Sequence, residues 1–102
     1  MEWPQKPNDV KTRRISGSEV VCESPCLLYG LVMAPVTTSG QVTAWDGLGT
    51  LGEAKAYFDV TKGTTFTYTP AMPIVMKSGL YIEFTTFVGY VTVQWAPVQQ
   101  GE

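Results

Sequence analysis

The sequence predicts an all-β domain: an antiparallel β-sandwich, jelly-roll-like, of about seven or eight short strands. Apolar and polar residues alternate in short segments, and glycine, proline, serine and threonine separate these segments at intervals of about eight to twelve residues. Charged residues make up only 16% of the 102 residues, against about 25% in a typical globular protein. This low charged fraction favours a chain with extensively covered surface.

The first fifteen residues differ from the rest, and we predict an extended N-terminal arm over 1–15. This segment contains two prolines and four of the seven basic residues, and it shows no strand alternation. The sandwich is expected over 16–98 and a polar tail over 99–102. The arm is either a frayed terminus or a segment that lies across a partner. In the second case its candidate contact residues are an apolar anchor and three cations: Trp3, Lys11, Arg13 and Arg14.

The longest apolar segment, Leu27 to Ala34, is predicted to be a strand covered on both faces. Strict alternation places Leu31 and Met33 on the face opposite to Leu28. Pro35 is expected to end the strand because it has no amide donor. One face belongs to the sandwich core, and the other is expected to meet a second sheet or another chain. The candidate oligomer interface consists of Tyr29, Leu31, Met33, Trp45 and Tyr81.

The remaining strands follow the same alternation. The segment 47–52 matches G-x-G-x-x-G, but no crossover helix follows it, so we predict a wide turn and not a nucleotide site. Among the aromatic residues near the end of the chain, Trp95 is predicted to face the core. The other predicted strands run from Val20 to Cys22, Val42 to Trp45, Glu53 to Val60, Thr64 to Thr69, Ile74 to Met76, Leu80 to Thr85 and Val88 to Trp95.

The residue types argue against an enzyme. The chain has no histidine, which excludes Ser-His and Cys-His nucleophile systems. Its two cysteines, Cys22 and Cys26, cannot complete a zinc site and are predicted to be free thiols, with a disulfide as the alternative. No cofactor or metal is expected. The carboxylates Asp46, Glu53, Asp59 and Glu83 are interpreted as turn or outward-facing strand residues.

Charge and hydropathy also limit the partners. A net charge of −2 gives no general attraction to nucleic acid. No apolar run approaches the ~20 residues of a membrane helix, and the N-terminus lacks the pattern of a signal peptide, so we expect synthesis in the cytosol and no membrane partner. A glycan partner stays open, because exposed aromatic rings could stack on sugars. The candidates for such a platform are Trp45, Tyr57, Tyr81, Tyr90 and Trp95.

Four segments together resemble small virion proteins of tailed bacteriophages. They are SPCLLYG from Ser24, GQVTAWDG from Gly40, KSGLY from Lys77 and VTV from Val91. Chains of that kind carry patterns such as G/S-P-C-x-L-x-G, V-T-V-Y-D-G and F-x-N-G-L-Y. Trp45 stands where tyrosine is common in them. The resemblance implies a jelly-roll-like sandwich that acts in the particle, either as a capsid decoration (cement) protein or as a small fibre or tail component.

We therefore expect a non-enzymatic phage structural protein that binds the lattice of the major capsid protein and stabilises it as an oligomer. A homotrimer is the natural assembly at a local three-fold axis. The arm would contact the coat protein, and the second apolar face would contact sister subunits. Such a protein is made in the host cytoplasm and located on the capsid surface. The alternative is a carbohydrate-binding or host-recognition module of a fibre or tail.

Overall fold

The computed structural model describes residues 10–98, and within them the chain forms nine β-strands and no helix. The strands make two antiparallel sheets that pack face to face, which confirms the predicted all-β sandwich. Trp3 and the polar tail lie outside the described residues. The strands are β1 (Lys11–Ile15), β2 (Glu19–Cys22), β3 (Cys26–Thr38), β4 (Gly40–Asp46), β5 (Glu53–Val60), β6 (Phe66–Tyr68), β7 (Ile74–Met76), β8 (Leu80–Thr85) and β9 (Val88–Pro97).

The two sheets pair strands that are far apart in the chain. The first sheet has the order β1-β9-β3-β6, with β7 also paired to β3, and the second has the order β2-β8-β4-β5. Strands β1 and β2 therefore form the edges on one side of the sandwich, and β5 and β6 lie on the other. Connection 47–52 is a turn without a helix, as predicted. The jelly-roll subclass stays a prediction.

Side chains from both inner faces fill the core. Val91, Val93 and Trp95 alternate inward along β9, as the sequence predicts. On the second sheet Val42 and Ala44 of β4 and Leu80 and Ile82 of β8 are completely buried. Complete burial of such a side chain contributes roughly 1.5–3 kcal/mol to folding. The largest fully buried side chains are Leu27, Leu28, Leu31, Met33, Met76, Leu80, Ile82, Val42, Val91, Val93 and Cys26.

A β-bulge in β3 changes the face assignment predicted for that strand. Leu28 lies opposite Trp95 and Gly30 opposite Gln94, so Tyr29 is an extra residue without a partner of its own. Beyond the bulge the side-chain alternation shifts by one residue, and Leu31 and Met33 point into the same core as Leu28. Their prediction as oligomer-interface residues is wrong, because they are 1% and 0% exposed within their own domain.

Two further boundaries differ from the prediction. Strand β3 does not end at Pro35 but continues to Thr38, with a register irregularity between these two residues that accommodates the proline. The predicted arm is also too long, because its last five residues form β1. This strand pairs with β9, and Ile15 is buried opposite Val91. The sandwich therefore begins at Lys11, not at Ser16.

Candidate functional site

The outer surface of the second sheet carries three aromatic side chains among polar ones. Because Val42 and Ala44 of β4 are buried in the core, the residues between and beside them face outward. The strand register then arranges outward residues in three transverse rows. We call this surface the aromatic face; its rows are Trp45 with Tyr81, then Glu83 with Thr43 and Tyr57, then Thr85 with Gln41 and Asp59.

Trp45 is held in one orientation. Its indole Nε1 donates a hydrogen bond of 2.9 Å to Oε1 of Glu83, which lies on the neighbouring strand. Thr43, the direct cross-strand partner of Glu83, is only 6% exposed although it faces outward, so its larger neighbours cover it. Tyr57 at the side of the same row is 61% exposed. The face therefore combines a fixed, half-buried indole with a freely accessible phenol ring.

Polar groups occupy the far end of the aromatic face. Gln41 Nε2 donates a 2.9 Å hydrogen bond to Oδ1 of Asp59. Beside this pair lies a cavity of about 250 Å³. The residues that line it are Ser39, Gly40, Gln41, Asp59, Val60, Thr61 and Thr86. Hydroxyl, amide and carboxylate groups thus surround a space that is continuous with the last row of the face.

The backbone around this cavity is tightly constrained. A Cβ atom at Gly40 would overlap the backbone of Thr85 and Phe87, so the start of β4 can lie this close to the β8–β9 link only because position 40 is glycine. Phe87 is buried and packs edge-to-face on Phe84 at 5.0 Å. Between them Thr86 has a φ of 66°, a left-handed conformation that is rare for a β-branched residue. Such strain is common at binding sites.

Asp46 anchors the opposite end of β4. Its carboxylate accepts hydrogen bonds from the backbone amides of Lys77 at 3.0 Å and Ser78 at 2.8 Å, and the Gly47 amide donates to the Gly79 carbonyl. Asp46 is 9% exposed. The sequence pattern alone indicates a turn or outward-facing strand residue at position 46 and gives no sign of these contacts. Its fixed contacts join the end of β4 to the turn between β7 and β8.

The predicted arm cations lie on the edge strand β1. Arg13 forms a salt bridge with Glu19 of β2, which closes the sandwich between its two edge strands. The guanidinium of Arg14 lies 3.9 Å from the centre of the Tyr90 ring, on the outer side of the first sheet. Lys11 is exposed. Three cations thus share one sheet edge.

Of the predicted oligomer-interface residues, the structure brings only two together. Trp45 and Tyr81 are direct cross-strand neighbours on the aromatic face. Tyr29 lies at the bulge of the other sheet. The predicted sugar platform is divided as well, because Tyr90 lies on the first sheet and Trp95 is in the core. Whether Tyr29, Trp45 or Tyr81 contacts another chain stays a prediction.

The cysteines do not form a reactive pair. Cys22 and Cys26 are both free thiols, and Cys22 Sγ donates to the Ser24 carbonyl at 3.4 Å. Cys26 is fully buried, and this burial raises the pKa of its thiol, with the neighbouring Cys22 adding to the effect. A buried, protonated thiol is neither a nucleophile nor a metal ligand.

Two other kinds of binding feature are absent from the described part of the chain. No three histidine, cysteine, aspartate or glutamate side chains within residues 10–98 come together as metal ligands. The same residues contain no helix long and apolar enough to cross a membrane. In comparisons with known proteins, no family model, curated protein or solved structure matches this chain.

Proposed function

We propose that this chain is a non-enzymatic virion structural protein of a tailed phage that decorates the capsid and binds the major coat protein. The resemblance of four segments to tailed-phage virion proteins is the first support for it. Two of its segments, GQVTAWDG and KSGLY, meet in space, because Asp46 of the first accepts the amides of Lys77 and Ser78 in the second. The strand orders β1-β9-β3-β6 and β2-β8-β4-β5 support the jelly-roll part of the proposal.

We propose that the coat protein contacts the basic edge strand β1. Three of its five residues are cations, and four of the five are exposed. Strand β1 ends the first sheet, so the backbone edge turned away from β9 has no strand partner among the described residues. An exposed edge can accept a strand from another chain, and its cations favour an acidic one. The coat protein would supply that strand.

Self-association is the second part of the proposal. A homotrimer of this 11.2 kDa chain would place three basic edges around one symmetry axis of the particle. The exposed loop after β4 offers a separate apolar contact, since Leu51 is completely exposed and Leu48 is 57% exposed. Together these two exposed leucines would add apolar area to a contact between subunits.

The experiment is co-sedimentation of the full-length chain with phage particles assembled without it. We expect the wild-type chain to sediment with the particles and the Arg14→Glu variant to bind about tenfold more weakly, because the substitution reverses a charge at the proposed contact. Lys62→Glu is the matched control, since it makes the same charge change in a loop remote from β1 and should bind normally.

Two results would count against the proposal. A wild-type chain that stays in the supernatant at every concentration is not a decoration protein of that particle. Equal losses for Arg14→Glu and Lys62→Glu would mean a general charge effect and would remove β1 from the contact. Light scattering tests the trimer separately: a mass of 11.2 kDa at high concentration would contradict self-association in solution.

A further inference from the structure

We infer that the aromatic face and the cavity at its end form a binding site for a neutral or N-acetylated oligosaccharide chain that runs along β4. This site goes beyond the decoration role, because coat-protein binding was assigned to β1 on the other sheet. The three rows from Trp45 to Gln41 span roughly 13 Å at about 3.3 Å per residue, and the cavity extends the surface further. This length suits several sugar rings in sequence, not one isolated ring.

The aromatic rings provide surfaces on which sugar rings can stack. Trp45 and Tyr81 are adjacent at one end of the face, and Tyr57 stands in the next row. The hydrogen bond from Trp45 Nε1 to Glu83 fixes the indole before any ligand arrives. Such preorganisation reduces the entropy lost on binding. Tyrosine and tryptophan also combine an apolar ring with a polar group, which matches the mixed surface of a sugar.

The polar groups are spaced to hydrogen-bond the hydroxyl groups of the same ligand. Glu83 lies beside Trp45, and the Gln41–Asp59 pair lies two residues further along β4. A carboxylate that accepts one hydrogen bond through one oxygen retains further lone pairs for ligand hydroxyls. The cavity adds the hydroxyls of Ser39, Thr61 and the strained Thr86. Apolar ring surfaces give a ligand contact area, and a few fixed polar groups orient it.

Charge selects this ligand over a second copy of the chain. Two aromatic faces packed against each other would bring the carboxylates Glu83 and Asp59 of both copies into one interface. The nearest cation on β5, Lys55, already pairs with Glu53. Carboxylates buried there without a cation would cost several kcal/mol each, whereas the hydroxyl groups of a glycan can donate hydrogen bonds to them. The same two carboxylates disfavour acidic sugars, so the ligand is a neutral or N-acetylated glycan.

The test is binding of the full-length chain to an array of neutral, N-acetylated and acidic oligosaccharides, followed by calorimetric titration of the strongest ligand. We expect neutral or N-acetylated chains of several sugars to bind. Trp45→Ala should weaken binding by about tenfold, the effect of losing roughly 1.4 kcal/mol of stacking. Tyr57→Ala should weaken it as well, and its exposed ring is not needed for folding.

Tyr90→Ala is the matched control, because it removes a partly exposed tyrosine from the outer side of the other sheet and should leave binding unchanged. Absence of binding to every sugar on the array would overturn the inference, as would binding restricted to acidic sugars. Equal losses in Tyr57→Ala and Tyr90→Ala would place the ligand elsewhere. An oligomer that dissociates in Tyr57→Ala would instead assign the face to a second copy. None of these results depends on whether the chain sediments with phage particles.

Discussion

Replacing Asp46 with asparagine should destabilise the domain strongly, although the side chain keeps its size. The carboxylate accepts the Lys77 and Ser78 amides at 3.0 and 2.8 Å in a site that is only 9% exposed. Asparagine can accept one amide through its oxygen, but its own NH₂ group then faces the second amide, and two donors cannot bond. The variant therefore loses one charge-assisted hydrogen bond and leaves a part-buried amide without a partner.

The expected cost follows from these two changes. A hydrogen bond to a charged group contributes about 1.5–3 kcal/mol, and an unsatisfied buried donor costs about 1–3 kcal/mol. Both figures describe the same broken hydrogen bond, so they are not added together. We expect a loss of about 2–3 kcal/mol in the free energy of unfolding. For a domain of this size, each kcal/mol lowers Tm by about 4–8 °C. Typical domains have a free energy of unfolding of about 5–15 kcal/mol, so the variant should be much less stable but still fold.

Guanidinium unfolding followed by tryptophan fluorescence measures the loss, with Asp59→Asn as the matched control. Asp59 is exposed and its bond to Gln41 is on the surface, so its substitution should change stability by less than about 0.5 kcal/mol. Hydrogen exchange gives an independent readout, because the Lys77 and Ser78 amides should lose protection in Asp46→Asn. Wild-type stability and unchanged exchange in that variant would refute this account of how the β7–β8 turn is held.

Two more predictions concern the backbone and the buried thiol. Gly40→Ala should lower the free energy of unfolding by more than about 3 kcal/mol, because its Cβ would overlap the backbone of Thr85 and Phe87. Gly49→Ala is the control: its Cβ would meet open space, so the variant should be neutral or slightly more stable. Equal denaturation midpoints for the two variants would contradict the close approach at Gly40. Burial raises the pKa of the Cys26 thiol, so at alkaline pH its thiolate forms only in the unfolded chain. Ionisation therefore stabilises the unfolded state above the ordinary thiol pKa of about 8.5. There the free energy of unfolding should fall by up to about 1.4 kcal/mol per pH unit. Cys26→Ala should lack that part of the alkaline loss in denaturation curves between pH 8 and 10, and identical slopes would contradict the burial effect.

The fold class could be predicted from the sequence because apolar and polar residues alternate regularly along most of the strands. In β8 and β9 the inward residues, such as Leu80 and Val93, differ sharply from the outward ones, and one register satisfies the pattern. Strand β3 is apolar on both faces, so a shift of one residue changes nothing in its pattern. The bulge at Tyr29 therefore left no signal in the sequence, and the assignment of Leu31 and Met33 failed.

Strand β1 was missed for a different reason. Four of its five residues are exposed, so it has almost no hydrophobic periodicity, and it is held by backbone pairing with β9. The candidate site was predicted only in part. Alternation placed Trp45 and Tyr81 outward, but their adjacency depends on the register between β4 and β8, which lies between strands more than thirty residues apart. The contacts of Asp46 with Lys77 and Ser78 have the same long-range origin.

The pairing of β1 with β9 determines when the first sheet can be completed during synthesis. Lys11–Ile15 leaves the ribosome well before its pairing partner, which is the last strand among the described residues. β3 needs the same partner on its other side. Until residues 88–97 have emerged, two strands of the first sheet have unpaired edges, a state in which growing chains aggregate. The cations of β1 reduce that hazard, since like charges keep the waiting strands of neighbouring chains apart.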